Sequence, residues 1–118
     1  MAGITAERGI SMEIRKKQDG EKLEICIEGR LDTNSAPVLQ KSMEELLEEP
    51  VRELVLDMEG CDYVASSGLR VILCAQKKMN SLSGSMVVRN VPDEVMEVFE
   101  MTGFSDILDF ASILSRSR

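Results

Sequence analysis

The sequence predicts an α/β fold. It describes one domain built on a mixed sheet of about four strands. An N-terminal antiparallel hairpin is followed by parallel strands, with about four helices packed on the sheet. Three observations carry this reading. Two period-two runs flank an Asp-Gly turn signal near the start. Short continuous apolar runs then alternate with stripes of helical spacing, the signature of β-α-β units and right-handed crossovers. The chain has 118 residues and is 43% hydrophobic, enough for one packed core.

The elements follow in order. Residues 1–9 show no periodicity and are expected to form a flexible extension, leaving 10–116 as the domain. Ile10, Met12 and Ile14 alternate with polar residues, as do Leu23, Ile25 and Ile27. Such alternation marks half-buried strands, and Asp19-Gly20 between them marks a hairpin turn. Ser35 stands as the candidate N-cap of a first helix, with Pro37 in its first turn. Leu39, Met43, Leu46 and Leu47 form its apolar stripe, Glu44, Glu45, Glu48 and Glu49 its wet face, and Pro50 its stop.

Leu54-Val55-Leu56 reads as a central strand covered on both faces, and Asp57 to Tyr63 as the loop leaving it. A second helix starts near Ser66, with Leu69, Ile72, Leu73 and Met79 inward, and closes at Ser81 to Gly84. Met86-Val87-Val88 is a further strand. Pro92 and Asp93 open a third helix carrying Val95, Phe99 and Thr102 on one face and ending at Gly103. Phe104 to Leu114 reads as a last helical segment capping the core.

Composition narrows the function. The net charge is −7, with 21 acidic and 14 basic residues. That balance disfavours nucleic acid and anionic membrane surfaces, both of which demand Lys and Arg. No run of about 18 apolar residues is present and the N-terminus lacks a signal-peptide pattern, so a cytoplasmic protein without membrane insertion is expected. Histidine is absent, which removes the commonest general base and the Ser-His-Asp and Cys-His arrangements. No P-loop pattern occurs. Cys26, Cys61 and Cys74 form no C-x-x-C pair and read as reduced thiols. Asp57, Glu59 and Asp62 are weak magnesium evidence, and no metal or cofactor is expected. Met43 and Met79 fit a core, whereas Met96 and Met101 are candidates for a partner surface.

The informative segment is Asp62-Tyr63-Val64-Ala65-Ser66-Ser67-Gly68-Leu69-Arg70. It follows a buried strand and opens a helix, where unpaired N–H groups and a partial positive charge favour an anion. Locally, Ser66 or Ser67 can also be a simple cap. Asp32-Thr33-Asn34-Ser35 follows another strand's carboxyl end, so both loops are expected at one edge of the sheet, where α/β folds gather ligands.

Four stretches in order resemble the STAS family, most of all its anti-sigma factor antagonists. They are Ile27-Glu28-Gly29-Arg30-Leu31-Asp32, Leu54-Val55-Leu56-Asp57, Tyr63 to Leu69 with Val71-Ile72-Leu73, and Val95 to Gly103. The resemblance implies phosphorylation at Ser66. It implies a partner-binding surface that takes in Asp32 and its neighbours Thr33 and Asn34, with Ser67, Gly68 and Arg70 beside Ser66. It further implies a cycle in which the unphosphorylated protein binds an anti-sigma kinase and frees a sigma factor. The kinase then phosphorylates the serine, and a metal-dependent phosphatase resets the switch. Family members with a working switch usually carry Asp before that serine, and Ala65 stands here. Two other readings stay open. One is a non-phosphorylated STAS scaffold of a transporter or stress-sensing complex. The other is a small nucleotide-hydrolysing enzyme, which the resemblance to nucleotide-binding proteins keeps open and the missing histidine and P-loop oppose.

Overall fold

A computed structural model describes residues 3–4, 12–47, 51–108 and 110–111. Its six-stranded sheet has the order β1-β2-β3-β4-β5-β6, identical to the order along the chain. The strands are β1 (Gly3–Ile4), β2 (Met12–Asp19), β3 (Lys22–Leu31), β4 (Glu53–Val64), β5 (Ser85–Arg89) and β6 (Phe110–Ala111). β1, β2 and β3 pair antiparallel, and β3 through β6 pair parallel. The hairpin-plus-parallel sheet is thus as the sequence indicates, extended at each edge by a two-residue strand. Gly3–Ile4, inside the stretch expected to be an extension, pairs with Arg15 and Ile14. Ile10, Glu48, Glu49, Pro50, Ile113 and Leu114 lie outside the described residues.

The hairpin closes with Asp19 opposite Lys22, so Gly20-Glu21 is a two-residue loop. Gly20 has φ of +65°, a left-handed value that glycine adopts without steric cost. Three helices follow: α1 (Ala36–Leu46), α2 (Ser66–Ser81) and α3 (Asp93–Met101). The fourth expected helix is instead a single 3₁₀ turn, Phe104–Asp106, followed by β6. Phe104 and Phe110 still pack against the core, and Phe110 meets Phe99 edge to face at 5.3 Å. Capping therefore comes from aromatic side chains rather than from a helical face.

Period two divides the sheet. Leu23, Ile25 and Ile27 of β3, Leu54, Leu56 and Met58 of β4, and Val88 of β5 are each 0% exposed. They share one core with Leu39 of α1, Ile72 and Met79 of α2, and Phe99 of α3. Each such side chain contributes roughly 1.5–3 kcal/mol of burial. Alternate residues build the opposite face, where polar side chains stand beside Val55 and Val87. There Arg89 pairs with Glu24, and its Nε donates to Asp57 Oδ2 at 3.2 Å. The side-chain amide of Asn90 donates to the same oxygen at 3.1 Å.

Asp57 to Tyr63 is not a loop but the second half of β4. Cys26 pairs with Asp57 and Glu28 with Gly60, so β4 advances three residues while β3 advances two. Gly29 pairs with Cys61 and Arg30 with Tyr63, a second extra residue. Two bulges break the alternation that would have revealed the strand.

Candidate functional site

The site lies where β3 and β4 end together, Leu31 opposite Val64. β3 runs into the Asp32 loop and α1; β4 runs into Ala65 and α2.

The Asp32 loop is held from within. Asp32 Oδ1 accepts the backbone N–H groups of Asn34 and Ser35, both at 3.0 Å. Ser35, fully buried, does not cap α1 through its side chain as the sequence suggested. Its hydroxyl accepts the Asp32 N–H at 2.8 Å and donates to the Arg30 carbonyl at 2.7 Å. The capping residue type was legible, but the hydroxyl is drawn back across the loop because two backbone groups there have no ladder partner. α1 opens without it, the Ala36 N–H reaching the Asp32 carbonyl at 2.8 Å. Hydrogen bonds from Ser35, then from Asn34, with the Arg30 charge nearby, hold the Asp32 carboxyl below the usual carboxylate range. Thr33 and Asn34 are exposed at the tip.

α2 is docked onto the same place. The Ala65 N–H donates to the Leu31 carbonyl at 2.8 Å. A Cβ added at Gly68 would lie 2.5 Å from Leu31 Cγ and 3.1 Å from the Leu31 carbonyl oxygen. Only glycine lets the first turn of α2 sit this close to the end of β3. The two loops therefore adjoin, as expected from the topology.

Ala65 is the N-cap of α2 and offers no side-chain hydrogen bond. Ser66 is the first helical residue and is exposed; Ser67 is half-buried, and its Oγ is enclosed without a partner. Neither serine is the cap. Arg70 is exposed one turn after Ser66, on the same helical face, and forms no ion pair among the described residues.

Arg30 and Tyr63 complete the rim, and sequence reasoning did not select them. The Arg30 guanidinium lies 4.1 Å from the Tyr63 ring centroid, and its Nε is 3.7 Å from Asp32 Oδ2. Tyr63 remains 41% exposed. Both residues stand in the recognised segments, but their contact depends on the bulged register of β3 against β4. Met96 packs partly against the core, whereas Met101 is 84% exposed.

Metal-type donors converge elsewhere. Glu24, Cys26 and Asp57 lie within 4.8 Å of one another on the polar sheet face. Arg89 already engages both carboxylates, and burial with the two neighbouring negative charges raises the Cys26 thiol pKa. A guanidinium and a protonated thiol describe a structural polar cluster better than a cation site. No helix among the described residues is long and apolar enough to cross a membrane.

Comparison with known proteins identifies the family. The STAS domain model matches residues 13–116. BtrV of Bordetella bronchiseptica, assigned as an anti-sigma factor antagonist, is 33% identical over 87 residues, 74% of this chain and 75% of BtrV. The anti-sigma-B factor antagonist of Bacillus subtilis is 27% identical over 103 residues, 87% of this chain and 94% of its own. Among solved structures, the unphosphorylated anti-sigma factor antagonist SpoIIAA of Bacillus superposes with a TM-score of 0.72 at 18% identity, covering 87% of this chain and 91% of that one. SpoIIAA has also been solved in a phosphorylated form. With its hairpin-led sheet and its paired loops at the ends of β3 and β4, the chain belongs to the STAS domain family.

Proposed function

We propose that the chain is an anti-sigma factor antagonist acting through Ser66. In this reading it binds an anti-sigma factor of the serine-kinase type and so frees a sigma factor. Phosphorylation of Ser66 by that kinase ends the complex, and a phosphatase restores the hydroxyl. The ATP of the cycle belongs to the kinase, and the chain itself is a cytoplasmic binding protein rather than an enzyme.

The observation that carries the reading is exposed Ser66 at the start of α2, a helix whose Gly68 packs on Leu31, the residue before Asp32. In this reading the partner that covers Ser66 also meets Asp32, Thr33, Asn34 and Arg70. A phosphate brings about −1.5 to −2 charges into that contact. An interface shaped for a neutral hydroxyl has to desolvate this charge, and the Asp32 carboxylate repels it. The partner therefore leaves while the fold stays. The names of the sequence relatives support the same partner class.

The test is mass spectrometry after incubation with the cognate anti-sigma kinase and ATP, beside the Ser66→Ala variant. One added phosphate in the native chain and none in the variant supports the switch. Absence of both binding and phosphate on the native chain overturns it. Ala65 at the cap favours a second reading, a STAS scaffold without phosphorylation. Stable binding that ignores Ser66→Ala, with no phosphate added, would select that one.

A further inference from the structure

At the rim of the site, Arg30 is held in place without being satisfied. Arg30 and Tyr63 pair directly across β3 and β4, a register that the second bulge sets. The guanidinium lies 4.1 Å from the Tyr63 ring centroid, within cation–π range. Its Nε is 3.7 Å from Asp32 Oδ2, too long for a hydrogen bond. Asp32 Oδ1 is already taken by the Asn34 and Ser35 N–H groups. Among the described residues, the arginine side chains that donate hydrogen bonds reduce to Arg89. The N–H donors of Arg30 therefore lack an acceptor there, and its side chain is 50% exposed. Asp62, next to Tyr63 in the chain, is the unpaired residue of the bulge and forms no ion pair with Arg30 among the described residues.

We propose that Arg30, stacked on Tyr63, is a specificity-determining residue of the partner surface and takes a carboxylate side chain of the anti-sigma factor. This rests on the partner reading above, but not on phosphorylation of Ser66. A guanidinium presents a planar fork that matches a carboxylate through two parallel hydrogen bonds. An exposed arginine normally loses rotamer freedom on binding, whereas the Tyr63 face and the Asp32 charge already restrict this one. Arg and Tyr are also the residue types that dominate interface energetics. Arg30 precedes Leu31, on which α2 docks, and Tyr63 shortly precedes Ser66, which places the stack beside the Ser66 surface. A partner with a basic residue opposite Arg30 is repelled, so the sign of this one side chain selects among anti-sigma factors.

The experiment measures the affinity of the full chain for its cognate anti-sigma factor by titration calorimetry, without ATP, so that no phosphate is transferred. Arg30→Gln should weaken binding about thirtyfold, the loss typical of an interface hot spot. Arg30→Lys keeps the charge but not the fork and should lose about tenfold. Tyr63→Ala should lose about as much, whereas Tyr63→Phe keeps the ring face and should bind like the native chain. Melting temperatures within about 3 °C of the native value separate recognition from folding. The carboxylate is tested by replacing exposed Asp and Glu residues of the anti-sigma factor singly with Lys. One such variant should lose binding to the native chain and regain it with Arg30→Glu. Equal affinity of the native chain and Arg30→Gln overturns the proposal and leaves the Ser66 switch standing. So does a loss that comes only with a lower melting temperature, or the failure of Arg30→Glu to rescue any Lys variant. No binding by the native chain overturns the partner reading and this proposal together.

Discussion

Gly68→Ala sets two effects of opposite sign against each other. In an exposed helix, replacing Gly by Ala stabilises by up to about 1 kcal/mol, because glycine has more backbone freedom to lose. Here the new Cβ would lie 2.5 Å from Leu31 Cγ, 2.9 Å from Leu31 Cδ2 and 3.1 Å from the Leu31 carbonyl oxygen. Leu31 is 0% exposed and cannot swing aside, and the carbonyl is fixed by the Ala65 N–H. Overpacking of this kind costs about 1–3 kcal/mol. The clash wins by about 1–2 kcal/mol, which for a chain of this length lowers the melting temperature by about 4–8 °C. Calorimetry on the purified variant reads this directly. A Leu31→Ala background removes both close carbons, so the same substitution should cost less there, and the difference measures the coupling. A Gly68→Ala variant as stable as the native chain, or more so, would refute the close seating of α2 on β3.

Three further outcomes are expected. Ser35→Ala strips the partner from two part-buried backbone groups and should cost about 2 kcal/mol in urea unfolding; a loss below about 0.5 kcal/mol would contradict the bonds assigned to its hydroxyl. The folded-state pKa of Asp32 is depressed, so its contribution exists above the unfolded carboxylate value near 3.9 and fades as pH falls through the lower folded value. Asp32→Asn should therefore be less stable than the native chain at neutral pH and converge with it well below pH 4; a gap that persists there argues against a charge effect. Iodoacetamide should label exposed Cys74 first and buried Cys61 last, since burial pushes the Cys61 thiol up as well as shielding it. Equal labelling of the two in folded protein, read by peptide mass spectrometry, would contradict the packing of β4.

Legibility followed the physics of each element. Leu23, Ile25 and Ile27 announce β3 because their alternation is intact, and Leu54-Val55-Leu56 announces the start of β4 because the strand is central. The rest of β4 was hidden. Its two bulges insert exposed residues in pairs, and its outward side chains are charged, so Asp57 to Tyr63 imitates a loop. Asp32 and Ser66 could be placed at one edge from topology alone. The Arg30–Tyr63 stack could not, because it depends on a register that only pairing fixes. Ser35 was identified as a loop hydroxyl with the wrong partner, since the chain carries no local sign that the Arg30 carbonyl would need it.

The identity of strand order and chain order has a consequence for assembly. No later strand has to insert between two earlier ones, so the sheet can grow by addition at one edge as the chain is synthesised. The β3–β4 pair that carries the candidate site lies in its interior. It can be complete once α2 has emerged, before β5, α3 and β6 exist. Shortening either edge narrows the sheet without splitting it, and the end strands are where such a domain can vary while the loops after β3 and β4 stay in place.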